Sequence, residues 1–250
     1  MFIEDVIVSP DVIRQICFGE VNENYLELLV VLNNKIMISE SFKSIDCPNI
    51  DPELQKLTCK AVAKVREFLL QKIYSLRKPK TNVQIMQQTL LIKYSYLNKF
   101  LYMHGNRYAH AVKQVYVETV SKIFTAYFKA YIERLAKLQY EVATKTDLLG
   151  SQETQSKGKK GGIFSLQDRA NVLYENTPSI IPHVAEQQHL KYSYEAIFKS
   201  LDQIFIDTVS GEYLFVSEFF SEMDPMTLAY GIFEKVIALL VEHVEAFLAN

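Results

Sequence analysis

Residues that interrupt helices or form covalent links are scarce in this sequence. Its 250 residues include eight glycines, seven prolines and no tryptophan. Because the interior of a helix tolerates neither glycine nor proline well, this scarcity favours long helices. The three cysteines, Cys17, Cys47 and Cys59, are odd in number and form no CxxC pair. No Asn-x-Ser/Thr glycosylation site occurs either, so we expect a reducing, cytosolic setting and not secretion.

Long apolar runs and a large net charge are also missing. The strongly apolar runs, such as VIALLV near the end of the sequence, are far shorter than the roughly 20 residues of a membrane-spanning helix. The opening residues, MFIEDVIVSP, are acidic and lack a basic segment followed by an apolar run, so no signal peptide is predicted. The formal net charge is −2, and this near-neutral balance argues against nucleic acid as a partner.

The sequence does contain a high share of apolar residues. They make up 49% of the chain, against 22% charged residues, which is ordinary for a folded protein. The length is enough for one large domain or two small ones with a sizeable core. Neither a hairpin signal nor an alternation of strands with helices is found. We therefore expect an all-α fold with little or no sheet.

Three sites carry the same signal for the start of a helix. They are Ser9-Pro10, Asp51-Pro52 and Asp224-Pro225. In each, a side-chain oxygen can accept a hydrogen bond from a free amide of the first turn, and proline suits the first helical position. A short helix is expected after the first of these sites, and another over residues 23–36.

The helix that begins at Asp51 is predicted to run to about Lys78. Its apolar residues recur at steps of three and four, which is typical of one buried face. Pro79 disfavours helical geometry at Lys78 and so predicts the stop. Positive charge in the last turns is ordinary chemistry for a helix end. The alternative is an anion-binding cluster of Arg77, Lys78 and Lys80.

A second helix is predicted from Thr81 or Asn82 to about Met103, and the segment HGNR at 104–107 is expected to break it. A third helix then runs from about Tyr108 to about Leu148. One apolar face of this third helix is wide enough to contact several neighbours. That face is made of Val112, Tyr116, Val120, Ile123, Tyr127, Tyr131, Leu135, Leu138 and Val142, broadened by Phe124, Phe128 and Ile132.

The second half of the sequence begins with a polar, glycine-rich segment at 150–162, which predicts a flexible loop. Its KGKKGG (157–162) lacks the ending of a phosphate-binding loop; a solvated loop or a weak contact with anionic lipid or a phosphorylated partner is expected. An irregular, partly extended stretch follows to 190, and helix resumes over 192–222. We therefore expect helical parts at 1–149 and 191–250 with a connection at 150–190. The last helix shows no stop signal, which suggests a fragment.

Residues with catalytic potential form no recognisable site. His183, Glu186 and His189 have a spacing that metal ligands can have, but no third anchoring group is apparent. The other histidines, His104, His110 and His243, are isolated. No nucleophile elbow or dinucleotide-binding turn is found. We predict no enzyme activity, no cofactor, no metal site and no catalytic residue.

Two further groups are interpreted as core. Cys17 and Cys59 lie on apolar helical stretches and are expected to be small buried residues. The aromatic series in EYLFVSEFF is also expected to be core, and an exposed groove for a partner helix is the alternative. That series consists of Tyr213, Phe215, Phe219 and Phe220.

Several blocks of the sequence resemble one known family, in the family's order. They are FIEDVIVSPDVIRQI near the start, KAVAKVREFLLQKIYSLRKPKTNVQIMQQTLLIKY (60–94), YVETVSKIFTAYFKAYIERLAKLQYEVATKTDLLG (116–150), IPHVAEQQHLKYSYEAIFKS (181–200) and EYLFVSEFF (212–220). Together they resemble the vacuolar protein sorting-associated protein fifty-two family. Members are subunits of the Golgi-associated retrograde protein (GARP) complex and of its endosomal sister complex.

The resemblance implies a non-catalytic subunit of a vesicle tether, built as a rod of stacked helical bundles and coiled coil. Such tethers act in retrograde protein transport from endosomes to the trans-Golgi network. The implied partners are the other GARP and sister-complex subunits, SNARE proteins and a Rab-type small GTPase. The implied location is cytosolic, peripheral at trans-Golgi network and endosome membranes. The family's upstream coiled coil and far C-terminal portion are expected to have no counterpart here.

Two other functions are open from the sequence. One is a stand-alone helical effector module that binds a Rab-type small GTPase. The other is an all-helical enzyme that uses a metal at His183 and His189. The family supplies no catalytic residues, and the surface that would bind each partner is not predicted.

Overall fold

The protein is all-α, as expected. The structure is a computed structural model that describes residues 7–41, 51–79, 81–140 and 177–248. Its helices are α1 (Pro10–Phe18), α2 (Glu23–Ser41), α3 (Asp51–Ser75), α4 (Val83–Met86), α5 (Ser95–Lys137), α6 (Pro182–Gln187), α7 (Tyr194–Phe219) and α8 (Pro225–Leu248). The described residues contain no strand, and a single isolated bridge joins Gln139 to Tyr192.

The chain divides into two compact units. The first unit consists of Met1–Thr125 with Gly211–Asn250, and the second consists of Ala126–Ser210. Both boundaries fall inside helices, because α5 and α7 each contribute residues to both units. The division at 1–149, 150–190 and 191–250 that the sequence suggests stays a prediction. The loop at 150–162, with its KGKKGG, lies outside the described residues.

The predicted helix starts are confirmed. Ser9 caps α1, since its hydroxyl accepts a hydrogen bond from the Val12 amide. Asp224 caps α8 by accepting from the amides of Met226 and Thr227. In both places proline follows the cap directly. Helix α3 begins at Asp51, as expected.

The connection between α3 and α5 contains three short helical segments, each of a different type. Helix α3 ends at Ser75, and residues 76–78 form turns before Pro79. Asn82 then caps α4 through a 3.1 Å bond from the Ile85 amide. A π-helical segment (Gln87–Leu91) and a 3₁₀ turn (Ile92–Tyr94) lead into α5. Such π segments are rare, and their backbone hydrogen bonds span five residues and not the four of an α-helix.

The break predicted at 104–107 is found at Gly105. The range of α5, 43 residues, joins two helical stretches that meet at Gly105, whose φ and ψ (−151° and 49°) are not helical. The chain changes direction there, because Gln87 and Tyr116, on either side of the break, are joined by a 2.6 Å hydrogen bond. A Cβ at this position would lie 2.7 Å from Cγ1 of Val62 on α3. Glycine is therefore required by the close approach of α3. The prediction of two helices separated within 104–107 is confirmed.

The end of α5 was also predicted wrongly, since the helix ends at Lys137 and not near Leu148. The Lys191 ammonium donates to the Lys137 carbonyl over 2.7 Å, which caps the helix. The chain then pairs with Tyr192 through two backbone bonds, from the Tyr192 amide to Leu138 and from the Tyr140 amide to Tyr192. These tertiary contacts within the second unit stop a helix that has no local stop signal.

Helix α1 is attached to the first unit by its C-terminal end. The Tyr25 hydroxyl and the Lys64 ammonium both donate to the Ile16 carbonyl, and Lys64 also donates to the Gly19 carbonyl. The same ammonium lies 5.0 Å from the centre of the Tyr25 ring. A cation is favourable here because the carbonyls at the end of a helix carry partial negative charge.

The core of the second unit fixes an extended segment before α6. The Ser200 hydroxyl accepts from the Ile180 amide over 2.7 Å, and the Tyr131 hydroxyl donates to the Ile180 carbonyl over 2.9 Å. Both groups come from helices, α7 and α5 respectively. The short helix α6 was not predicted, because the prolines around it indicated extended chain. It ends near His189, which has a positive φ of 54°.

Candidate functional site

Three buried polar side chains form a hydrogen-bonded group in the first unit. The Tyr116 hydroxyl on α5 donates to Oε1 of Glu212 on α7 over 2.5 Å. Gln87, in the π-helical segment, donates through Nε2 to Oε2 of Glu212 (2.8 Å) and to the Tyr116 hydroxyl (2.6 Å). All three side chains are almost fully enclosed. The group therefore joins three segments that are distant in sequence.

Burial changes the titration of this group. It raises the pKa of Glu212 to about 7, although the bonds from Tyr116 and Gln87 oppose the rise. Burial, together with the neighbouring Glu212 carboxylate, raises the pKa of Tyr116 well above its usual value. No Lys, Arg or His in the described part of the chain lies within ion-pair distance of Glu212. The carboxyl group thus exchanges a proton near neutral pH without a cationic partner.

Chemically, this arrangement stabilises the fold and does not present a reactive group. A catalytic acid or base must come within hydrogen-bond reach of its substrate, and Glu212, Tyr116 and Gln87 are closed off from solvent. Aromatic rings surround them, with Phe215 and Phe220 packed at 5.6 and 5.2 Å from the Tyr116 ring. We interpret the group as a structural joint.

The histidines of the described residues do not form a common site. His104 bonds through Nε2 to Asn33 Oδ1 (2.7 Å), and burial lowers its pKa. Burial also lowers the pKa of His243. His183 and His189 are exposed near the two ends of α6. Among the residues that the structure describes, no set of three His, Cys, Asp or Glu side chains is placed to hold a metal ion.

The interpretation of the cysteines as core residues was wrong. Cys59 is exposed and Cys17 is only half-buried. Cys59 lies between Leu57 and Ala61, which are the buried positions of α3, so it belongs to the opposite side of the helix. It lines an open cavity of about 250 Å³ together with His104 and Glu40. Cys47 lies outside the described residues.

The aromatic series on α7 is core for three of its four members. Phe215, Phe219 and Phe220 are buried, while Tyr213 is 38% exposed. Phe215 stacks on Phe219, and Phe219 meets Phe220 edge to face. The Asn98 side chain donates to the Phe219 carbonyl over 3.0 Å. The alternative of an exposed groove made by these phenylalanines therefore does not apply.

A surface of arginine and tyrosine lies where α3 packs beside α5 in the first unit. The guanidinium of Arg66 lies over the ring of Tyr108, 5.3 Å from its centre. The guanidinium of Arg77 lies over the ring of Tyr74 at 4.8 Å and donates to the hydroxyl of Thr119, most closely at 2.7 Å. We call Arg66, Tyr74, Arg77 and Tyr108 the Arg–Tyr face.

The sequence singled out Arg77, Lys78 and Lys80 as an alternative anion-binding cluster. Arg77 bonds Thr119, Lys78 is exposed, and Lys80 lies outside the described residues. The cluster stays a prediction. The sequence analysis missed Arg66, Tyr108 and Tyr74. The available signal for Arg66 and Tyr74 was their helical spacing, since both lie on one side of α3. No sequence signal links Tyr108 to them.

Two family profiles match the chain and together cover most of it. The profile described as "Vps52/Sac2 family, coiled-coil" matches residues 1–101, and the profile described as "Vps52, C-terminal" matches residues 118–250. The expectation that the family's coiled-coil portion has no counterpart here was therefore wrong for residues 1–101. In the described residues, no helix combines the length and apolar character needed to cross a bilayer.

Curated proteins from plants and animals match along almost the whole chain. Vacuolar protein sorting-associated protein 52 A of Arabidopsis thaliana is 39% identical over 100% of this chain and 37% of its own length. The Homo sapiens homologue is 35% identical over 99% of this chain and 37% of its own length. The Saccharomyces cerevisiae protein is 22% identical over 88% of this chain and 42% of its own length. No solved structure matches.

Proposed function

This chain belongs to the Vps52 family, and on that premise we propose that it is a non-catalytic subunit segment of a multisubunit vesicle tether. The observation that supports the proposal is the pair of family profiles, which match in order at residues 1–101 and 118–250. The relatives are named for vacuolar protein sorting. The chain spans 37% of the length of the Arabidopsis and human relatives, so the activity of the whole protein enters as part of the proposal.

The proposed setting is the GARP complex and its endosomal sister complex, in retrograde transport from endosomes to the trans-Golgi network. Within it, this segment contacts other tether subunits, SNARE proteins and a Rab-type small GTPase. Membrane association is peripheral and occurs through the complex. An all-α architecture supports this role, since helices supply extended side surfaces for partners. Elongation of the chain as a rod is part of the proposal.

The buried hydrogen-bonded group of Glu212, Tyr116 and Gln87 is also consistent with a structural role. The only strongly shifted carboxyl group that the described residues show is Glu212, which is enclosed by the Tyr116 and Gln87 side chains. A group in that position holds helices together and does not reach a substrate. The stand-alone effector that binds a Rab-type GTPase has no specific observation in its favour, and we do not propose it.

The test is affinity purification of the tagged chain from cells, with the co-purifying proteins identified by mass spectrometry. Recovery of other GARP or sister-complex subunits in stoichiometric amounts is expected. The matched control is the same chain lacking α8, which removes Pro225–Leu248 from the first unit. Recovery of unrelated proteins, with the tether subunits at background level, would contradict the proposal.

A further inference from the structure

The part of α5 that follows Gly105 runs beside α3 and in the same direction in the first unit. Val62 lies beside Gly105, Arg66 lies over Tyr108, and Arg77 bonds Thr119. In each pair the partner on α5 lies 42 or 43 residues further along the chain. Because this offset is almost constant from Val62 to Arg77, the two segments run parallel over this length. We call the surface along their line of contact the α3–α5 groove.

The walls of this groove carry side chains that are typical of protein interfaces. Arg66, Leu70 and Tyr74 on α3 recur at steps of four, so they share one side of the helix. Arg77 lies in the turn that follows α3. Tyr74 is 46% exposed and Tyr108 is 44% exposed. Tyrosine and arginine are enriched at interface hot spots, because each combines a large contact area with hydrogen-bonding capacity.

The two arginines are held in place before any partner arrives. Each guanidinium rests on a tyrosine ring, and Arg77 is also bonded to the buried Thr119 hydroxyl. In the part of the chain that the structure describes, neither arginine lies within ion-pair distance of a carboxylate. A fixed guanidinium loses less conformational entropy when it binds a carboxylate, so the groove is prepared for acidic groups.

Positive charge is concentrated on these two helices. Residues 51–78 contain seven Lys or Arg and three Asp or Glu, and residues 95–125 contain four Lys or Arg and one Glu. The chain as a whole carries −2. The region that contains the groove is therefore basic within an otherwise acidic protein. Lys99 and Lys64 are already engaged elsewhere, with Glu222 and with the end of α1. Arg66 and Arg77 supply the positive charge of the Arg–Tyr face.

The geometry points to a docking site for one acidic amphipathic helix of a partner protein, laid along the α3–α5 groove. Its apolar stripe contacts Leu70, Tyr74 and Tyr108, and its Glu or Asp residues pair with Arg66 and Arg77. This helix-in-groove mode suits a shallow channel between two packed helices. The inference is independent of the tether assignment, because it rests only on the contacts and charges of the first unit.

The experiment is a selection of displayed helical peptides against the 250-residue chain. The library has a fixed apolar stripe at helical spacing, and each flanking position carries Glu, Gln or Lys. We expect Glu to be enriched over Lys roughly tenfold at the flanking positions nearest the arginines, as for a favourable charge pair at an interface. The strongest peptide is then synthesised, and its Kd is measured at two salt concentrations.

Variants of the chain show which residues bind the peptide. Arg66→Glu is expected to weaken binding of the selected peptide by roughly tenfold or more, and Tyr108→Ala is expected to weaken it as well. Lys60→Glu is the matched control: it reverses a charge on α3, six residues from Arg66 and therefore on another side of the helix. Circular dichroism confirms that each variant is folded. Arg66 is exposed and its guanidinium lies over the ring of Tyr108, so its replacement leaves the core intact.

Three results would overturn the inference. They are equal enrichment of Glu and Lys, peptide binding that Arg66→Glu leaves unchanged, and a loss with Lys60→Glu as large as that with Arg66→Glu. Mixed phosphatidylserine and phosphatidylcholine vesicles test the other source of negative charge. Vesicle binding that Arg66→Glu abolishes, without any selected acidic peptide, would assign the face to a lipid surface and overturn the proposal.

Discussion

Tyr116 and Glu212 are 96 residues apart in sequence, and a 2.5 Å hydrogen bond joins their side chains inside the first unit. The bond links α5 to α7, and Gln87 closes the group from the π-helical segment. A buried carboxyl group without a cation is costly to ionise. The group therefore favours one arrangement of three segments and also makes the stability of the first unit depend on pH.

We predict that stability falls as the pH rises through the titration range of Glu212. Its pKa is about 7 in the folded protein, against a usual 4.5. The stability gained from protonation is therefore complete below about pH 4.5 and is lost as the pH rises to about 7. Each unit of pKa difference corresponds to about 1.4 kcal/mol. Glu212→Gln should flatten this dependence and raise the free energy of unfolding at pH 8. Urea denaturation of the unchanged chain and of the variant, at pH 5 and at pH 8, measures the free energy of unfolding.

Glu234→Gln is the control for the pH experiment, since Glu234 is exposed on α8 in the same unit. This variant should keep the pH dependence of the unchanged chain. If Glu212→Gln and Glu234→Gln show the same pH dependence, Glu212 is not the titrating group.

Gly105→Ala should destabilise the first unit by about 1–3 kcal/mol, as overpacking does in well-packed cores. The added Cβ would lie 2.7 Å from Cγ1 of Val62. The second substitution Val62→Ala removes that clash, so the double variant should lose less stability than the sum of the two single changes. Thermal and urea unfolding measure this coupling. Strict additivity would show that Gly105 is not required by the approach of α3.

Lys64→Met should loosen the end of α1. The ammonium donates to the carbonyls of Ile16 and Gly19, and methionine keeps the length of the side chain without the charge. We expect a loss of about 1–2 kcal/mol, in line with hydrogen bonds made by a charged group. Hydrogen exchange should become faster in α1 but not in α7. The control Lys60→Met should leave exchange in α1 unchanged, and faster exchange with both variants would contradict the capping role.

Tyr131→Phe should release the extended segment of the second unit. It removes the hydroxyl that donates to the Ile180 carbonyl and bonds Ser200. The expected cost is about 1 kcal/mol, with faster amide exchange at Ile180 as the local readout. Tyr127→Phe is the matched control, because Tyr127 is 49% exposed on the same helix. Unchanged exchange at Ile180 in Tyr131→Phe would show that the hydroxyl does not hold the segment.

Local chemistry in the sequence predicted the fold class and the starts of the helices. Ser9 and Asp224 bond the amides of their own first turns, so the information lies within a few residues. The end of α5 was not predictable in this way. It depends on Lys191 and Tyr192, which lie more than 50 residues later. The break at Gly105 was predicted correctly, but the close approach of Val62 to Gly105 was not.

The candidate sites were harder to predict because they depend on which helices become neighbours. Glu212 occupies what looks like an ordinary polar position of α7, and only the contacts of Gln87 and Tyr116 show that it is buried. Cys59 was assigned to the core because its neighbours are apolar, but it occupies the exposed side of α3. Arg66 and Tyr108 form one surface only through the register of α3 against α5.

The central claim is that this chain is a subunit segment of a larger assembly, and its native size in cell extract tests that claim most directly. The chain alone has a mass of 28.9 kDa. Separation of the extract by size under native conditions, followed by detection of the tagged chain and the other tether subunits, gives the answer. We predict that the chain migrates together with those subunits in a much larger complex. Migration of all of it as a free 28.9 kDa species, apart from the tether subunits, would contradict the claim.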